Sequence, residues 1–225
     1  MARSHLKASP TDGSQITLAE LEKKSLFGYD TEIRSQYGVV CGIDEAGRGP
    51  LAGDVYAAAV IFDEGVVIEG INDSKKLTEK QREKLFDEIR EKAKAYCIAT
   101  ASIAEIEEIN ILNAAMLAMK RAYEGLGLSA DIILIDGNKE PSIEGELRTV
   151  VKGDATSASI AAASILAKVA RDRYMDEIGA EYPQYGFEKH KGYGTKAHYA
   201  AVDEYGLCTA HRPSFFKKYF ANKNG

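Results

Sequence analysis

Four carboxylates stand where chemistry could be done: Asp44 and Glu45 side by side, Asp136 at the end of an apolar run, and Asp154 just before an alanine-rich stretch. Acids brought together repel one another and are costly to bury, so a cluster of them requires bound cations. Mg²⁺ and Mn²⁺ are the natural counter-ions, because they take oxygen ligands and retain water. Two such ions held about 3.5 to 4 Å apart can activate a water and stabilise the leaving oxygen in phosphodiester cleavage. Taken singly, each acid has a plainer use: a strand-end aspartate is an ordinary turn residue, and Asp154 could cap a helix.

The segment 42–50, GIDEAGRGP, narrows the choice. Within it the acid pair is followed closely by Gly47, Arg48 and Gly49. The glycines let the backbone turn tightly and present bare amides to a ligand, while Arg48 offers a planar fork for phosphate. Acid pair and turn together read as a grip on a nucleic-acid backbone beside a hydrolytic centre.

The elements that must position these groups follow from the periodicity. Residues 39–44 and 55–62 are short β-branched apolar runs joined by a glycine-rich turn over 47–53, which predicts two strands and a loop. Thr78 and Gln81 have the spacing of a capping box, and Leu85, Phe86, Ile89 and Ala93 recur at helical spacing, predicting a helix over 78–94. Residues 96–101 predict a third strand. Ser102 and Glu105 form a second capping box, opening a helix that carries Ile109, Leu112, Met116, Met119 and Tyr123. DIILID at 131–136 has the form of a central strand buried on both faces, and 147–151 predicts another. Residues 157–178 are alanine-rich and predict a long helix able to pack closely on a sheet. The sum is an α/β fold, a mixed β-sheet flanked by helices, with a helical C-terminal segment from about Pro183. The expected division is a leader over 1–38, polar and weakly helical around 18–25, a catalytic unit over 39–182, and a basic helical segment over 183–225 packed on it.

Composition excludes several classes. With 225 residues, 45% hydrophobic and 28% charged, the chain reads as one soluble globular domain or one domain with appendages, and neither disordered nor collagen-like. No apolar run is long enough to span a bilayer, and the first thirteen residues lack the apolar core of a signal peptide, so a cytoplasmic protein is expected. The net charge of -5 conceals an asymmetry, since residues 189–225 carry seven Lys or Arg against Asp203 and Glu204. That tail is the expected polyanion contact. Cys41, Cys97 and Cys208 lack metal-ligand spacing and read as free thiols. His190, His198 and His211 cluster near the C-terminus without an HExxH pattern and read as hydrogen-bonding residues, not zinc ligands. Asp172 competes weakly with Asp154 and reads as a helix-surface or supporting acid.

The ordered motifs GIDEAGRGPLAG at 42–53, NDSKKLT at 72–78, IDGN at 135–138, KGD at 152–154, SILAKVARD at 164–172 and KHKGYGT at 189–195 resemble those of bacterial ribonuclease HII, the type 2 ribonucleases H, over about residues 39–216. The resemblance implies a ribonuclease H-like fold and a metal-dependent endonuclease using Mn²⁺ or Mg²⁺. Such an enzyme cuts RNA in RNA/DNA hybrids and 5′ to single ribonucleotides embedded in duplex DNA, leaving 3′-hydroxyl and 5′-phosphate ends. It implies Asp44, Glu45, Asp136 and Asp154 as the active-site acids and metal ligands. Gly47, Arg48 and Gly49 are then the turn that recognises the ribose 2′-hydroxyl, the group that distinguishes RNA from DNA. Tyr193 looks like the ring that stacks under the following deoxyribose, where a flat aromatic excludes a 2′-hydroxyl. Ser74, Lys75 and Lys76 resemble the phosphate-contacting stretch, and Lys168 and Lys191 are further basic candidates. A monomer acting on hybrids and on ribonucleotide-containing duplex DNA, away from membranes, is expected. Asp54 stands where the family commonly has proline and is expected to loosen the loop. Two rivals remain: another two-metal nuclease of this fold acting on DNA, which the turn beside the acids disfavours, and a non-catalytic duplex-binding module working through the basic tail.

Overall fold

The computed structural model describes residues 25–223. Its sheet has the order β3-β2-β1-β4-β5, with β1 at Val40–Ala46, β2 at Val55–Ile61, β3 at Ala95–Ala101, β4 at Ile132–Asp136 and β5 at Leu147–Val150. β1 and β2 form an antiparallel pair, as do β2 and β3, whereas β4 lies parallel to both β1 and β5. The sheet is therefore mixed, and all five strands lie within a residue or two of their expected positions. Residues Ile132, Ile133, Leu134 and Ile135 are fully buried, as a central strand covered on both faces requires. Each such side chain contributes about 1.5–3 kcal/mol by leaving water.

The helices described are α1 (Leu26–Tyr37), α2 (Glu79–Lys92), α3 (Ile103–Glu124), α4 (Ala158–Glu181), α5 (Phe187–His190), α6 (Lys196–Tyr205) and α7 (Pro213–Lys223). Both capping boxes form: Thr78 with Gln81 opens α2, and Ser102 with Glu105 opens α3. One face of the sheet, carrying Ile43, Ala57, Ala59 and Ile133, packs on Ala114, Ala115, Ala118 and Met119 of α3. Ala58 and Val60, on the other face, pack with α2 and with the small residues Ala161, Ala162 and Ala163 of α4. Alanine is the working part here, because it lets the α4 backbone approach the strands.

Three local differences from the sequence reading have physical causes. The stretch expected to be weakly helical at 18–25 lies, apart from Ser25, outside the described residues, and the helix begins immediately after it. Ser25 caps α1 by accepting from Gly28 N–H, and the buried Asp30 accepts from both the amide and the hydroxyl of Ser159 at 2.8 and 2.7 Å, tying α1 to the first turn of α4. Second, α3 is broken at Asn110, whose φ of +67° places it in the left-handed region. Its Oδ1 accepts from Leu112 N–H and Asn113 N–H, so the asparagine restarts the helix as a cap. Third, α4 is capped by Ser157 rather than by Asp154, which lies in a short 3₁₀ turn, Gly153–Ala155.

No helix among the described residues is long and apolar enough to cross a membrane.

Candidate active site

Strand register brings the first two acids together. β1 and β4 are parallel with Ile43 beside Ile135, so the next residue of each, Asp44 and Asp136, sits at adjacent carboxyl ends. Open sheets place ligand sites at such ends. The third acid arrives from α4. Gly42, one pleat below Asp44, has no side chain, and a Cβ there would lie 2.2 Å from the Ser159 carbonyl carbon. The start of α4 therefore rests directly on the β1 backbone, and the preceding 3₁₀ turn reaches Asp136, whose Oδ1 accepts from Gly153 N–H at 2.6 Å. Among the described residues, Asp44, Asp136 and Asp154 each offer a carboxylate oxygen within 4.8 Å of the others.

Glu45 is not one of these three. Its charge is nonetheless felt there, adding to burial in raising the pKa of Asp44, and the charge of Asp136 adds to burial in raising its own. Its Oε1 accepts from Arg48 at 3.1 Å. It still borders the same pocket, of about 260 Å³, together with Asp44, Asp136, Gly47, Arg48, Gly49 and Tyr193.

The electrostatics are those of a site short of positive charge. Burial, followed by the charges of Glu45 and Asp136, raises Asp44 well above the usual carboxylate range, against a hydrogen bond from Ser164. Asp136 is also raised, by burial and then by the charge of Asp154. Glu45 is raised by burial, opposed by Arg48. Lys75 reaches Asp154 at 3.1 Å but stays largely exposed. A set of hard oxygens, close-packed and mutually repelling, fits a divalent cation of the Mg²⁺ or Mn²⁺ type.

The remaining candidates divide. Ser74 is buried against Ser164, hydroxyl to hydroxyl at 2.9 Å, and lines the pocket with Lys75 and Lys168. Lys168 is also bonded to Asp172 at 2.5 Å, and Arg82 approaches the other oxygen of Asp172 at 3.7 Å. Asp172 is thus a buried counter-charge between helices, away from the metal-type cluster. Lys76 is exposed and Lys191 pairs with Asp176; neither lines the pocket. Tyr193 is half-exposed, its ring edge 3.5 Å from where a Cβ on Gly49 would stand.

Two residues that the sequence reading passed over organise the glycine turn. Arg212 is fully buried and donates to the carbonyl oxygens of Gly47, Pro50 and Gly53, each at 2.8 Å. Arg171, also buried, donates to Ala52 O at 3.0 Å, Asp54 O at 3.3 Å and Lys191 O at 3.1 Å. These guanidiniums draw the loop carbonyls inward. Asp54 does not loosen the loop as expected, for its Oδ1 accepts from Ile103 N–H at the start of α3 and fastens the loop's end.

A mixed sheet with acids gathered at the ends of adjacent parallel strands, beside a turn suited to phosphate and sugar, defines a metal-dependent nuclease of the ribonuclease H-like class. The particular family follows from direct comparison: residues 41–223 match the family model of ribonuclease HII, and the chain belongs to that family. It is 53% identical over 197 residues to a ribonuclease HII of Caldicellulosiruptor bescii, covering 87% of this chain and 96% of the relative. It is 56% identical over 197 residues to one of Shewanella sp. (strain MR-7), covering 85% and 94%. Among solved structures, the ribonuclease H2 from Pyrococcus horikoshii OT3 superposes with a TM-score of 0.66 at 28% identity, covering 78% of this chain and 93% of that one. The chain is accordingly an endoribonuclease that hydrolyses RNA in RNA/DNA hybrids.

Proposed function

We propose that this chain cleaves the phosphodiester 5′ to a ribonucleotide, both in long hybrids and at single ribonucleotides within duplex DNA, with Asp44, Asp136 and Asp154 holding Mg²⁺ or Mn²⁺ and Glu45 flanking them. The observation that carries this reading is the convergence of three acids from separate segments on a pocket shared with Gly47, Arg48, Gly49 and Tyr193. Ions bound there supply Lewis-acid activation of water and charge stabilisation for the leaving oxygen. The chain's own residues do the rest. Arg48, held by Glu45, meets a phosphate; the turn's backbone, its carbonyls drawn inward by Arg212 and Arg171, approaches the 2′-hydroxyl; and Tyr193 receives the next sugar face-on. Lys75 and Lys168 receive flanking phosphates. No protein nucleophile is required.

The test is a duplex with one embedded ribonucleotide, incubated with Mg²⁺ or Mn²⁺. A single nick with 3′-hydroxyl and 5′-phosphate ends is expected, and none after chelation. Cutting of all-DNA duplex at the same rate would favour the rival nuclease reading, and binding without nicking the non-catalytic one. For Tyr193→Ala, kcat/KM should fall about tenfold more on the single-ribonucleotide duplex than on a long hybrid, the size of a lost base- or sugar-stacking contact. Equal losses on both substrates would remove the tyrosine from the junction.

A further inference from the structure

The two elements assigned to reading the junction, the glycine turn and Tyr193, come from opposite ends of the chain, yet both are fastened to one buried dipeptide, His211–Arg212. Arg212 holds the turn through its side chain, as described, and through its amide, which donates to Leu51 O at 2.9 Å. His211 holds the tyrosine through a second histidine. Its Nδ1 accepts from Cys208 N–H at 2.9 Å, which leaves its proton on Nε2. That nitrogen lies 3.0 Å from His198 Nε2, so His211 donates and His198 accepts. The proton of His198 is then on Nδ1, 2.9 Å from the carbonyl oxygen of Tyr193, to which it donates. Each ring has one donor and one acceptor, and the geometry uses both.

Both rings are buried, at 0% and 1% exposure; His198 stacks on His190 and meets Phe187 edge-on, and His211 meets Phe216 edge-on. Burial lowers both pKa values, that of His211 to about 4, which keeps the neutral forms that the chain of donors demands. Backbone pairing adds a second fastening, since Leu51 N–H donates to Gly192 O and a Cβ on Gly192 would stand 2.8 Å from Ala52 O. The Tyr193 carbonyl also accepts from Thr195 N–H at 2.8 Å, so His198 is the side-chain member of a shared hold on the tyrosine's backbone and the one that links it to the His211–Arg212 dipeptide.

We propose that His211 and His198 are positioning residues for substrate choice: their directional hydrogen-bond chain sets Tyr193 in register with the Arg212-held turn and so tunes preference for a ribonucleotide followed by a deoxyribonucleotide. This rests on the junction role proposed for Tyr193, and the experiment separates the two. His211→Asn keeps an acceptor for Cys208 N–H at the Nδ1 position and removes the proton given to His198. His198→Gln keeps an acceptor for His211 and removes the donor to Tyr193. Each should lower kcat/KM on the single-ribonucleotide duplex about tenfold, as one lost buried hydrogen bond does, and change the long-hybrid value less than about threefold. The double variant of His211→Asn with Tyr193→Ala should lose no more selectivity than Tyr193→Ala alone. If Tyr193→Ala shifts the substrate ratio and neither histidine variant does, the relay is overturned while the tyrosine's role stands. If Tyr193→Ala leaves the ratio unchanged, the tyrosine's role fails and the relay with it. Should one histidine variant fail to fold, the other breaks the same chain at its other link and reads the same ratio.

Discussion

Replacing Asp136 by asparagine should lower the cleavage rate by at least about 10³-fold while leaving hybrid affinity within about threefold of the parent. Asp136 is in contact with every part of the acidic centre. It faces Asp44 across the parallel strands and is raised by the charge of Asp154, while its Oδ1 fixes the turn that delivers that residue. Asparagine preserves the shape and the acceptor for Gly153 N–H, yet removes one unit of the charge that draws cations in. Losing several kcal/mol of transition-state charge stabilisation corresponds to a factor of that size. On the proposed reading, binding depends instead on phosphate contacts by Arg48, Lys75 and Lys168, which line the pocket and which the change leaves in place. Single-turnover kinetics in Mg²⁺, set beside a binding titration in Ca²⁺, separate the two quantities. Turnover near the parental level would show that the aspartate is not needed for the chemistry.

The second large effect concerns stability. Arg212→Ala should cost about 3–5 kcal/mol, because it strips the carbonyls of Gly47, Pro50 and Gly53 of a charged donor inside a closed part of the fold. For a chain of this length that is a fall in Tm of roughly 10 °C. Arg212→Lys should recover only part of it, since an ammonium cannot present the planar fork that meets three carbonyls at once. Differential scanning calorimetry of the three proteins gives the order directly, and a variant as stable as the parent would deny the arginine its structural place.

What the sequence revealed was local. Capping boxes at Thr78 and Ser102 require residues only three apart, and both form. The four apolar residues before Asp136 announce a central strand because burial on both faces leaves no polar position. The resemblance already grouped the acids as one site, but nothing local in the sequence shows how the chain brings them together. That Asp44 and Asp136 meet follows from a parallel register between strands some ninety residues apart, and Asp154 joins them through the turn before α4; no local pattern encodes either. Glu45, read from the motif with Asp44, borders the same pocket but pairs with Arg48. Arg171 and Arg212 escaped for a different reason. A buried arginine reads like a surface one until its acceptors are known, and those of Arg212 lie about 160 residues earlier. The same holds for the histidine pair, whose clustering was visible and whose proton order was not.

Gly42 carries a final consequence. With helix backbone seated on strand backbone, nothing compressible lies between the two supports of the carboxylates, so their spacing is settled when the chain folds and not when an ion arrives. The electrostatic strain of gathering like charges is thus a standing debt of the native state, discharged only on loading. On that account an incoming cation would meet two supports already in place, β1 and the start of α4.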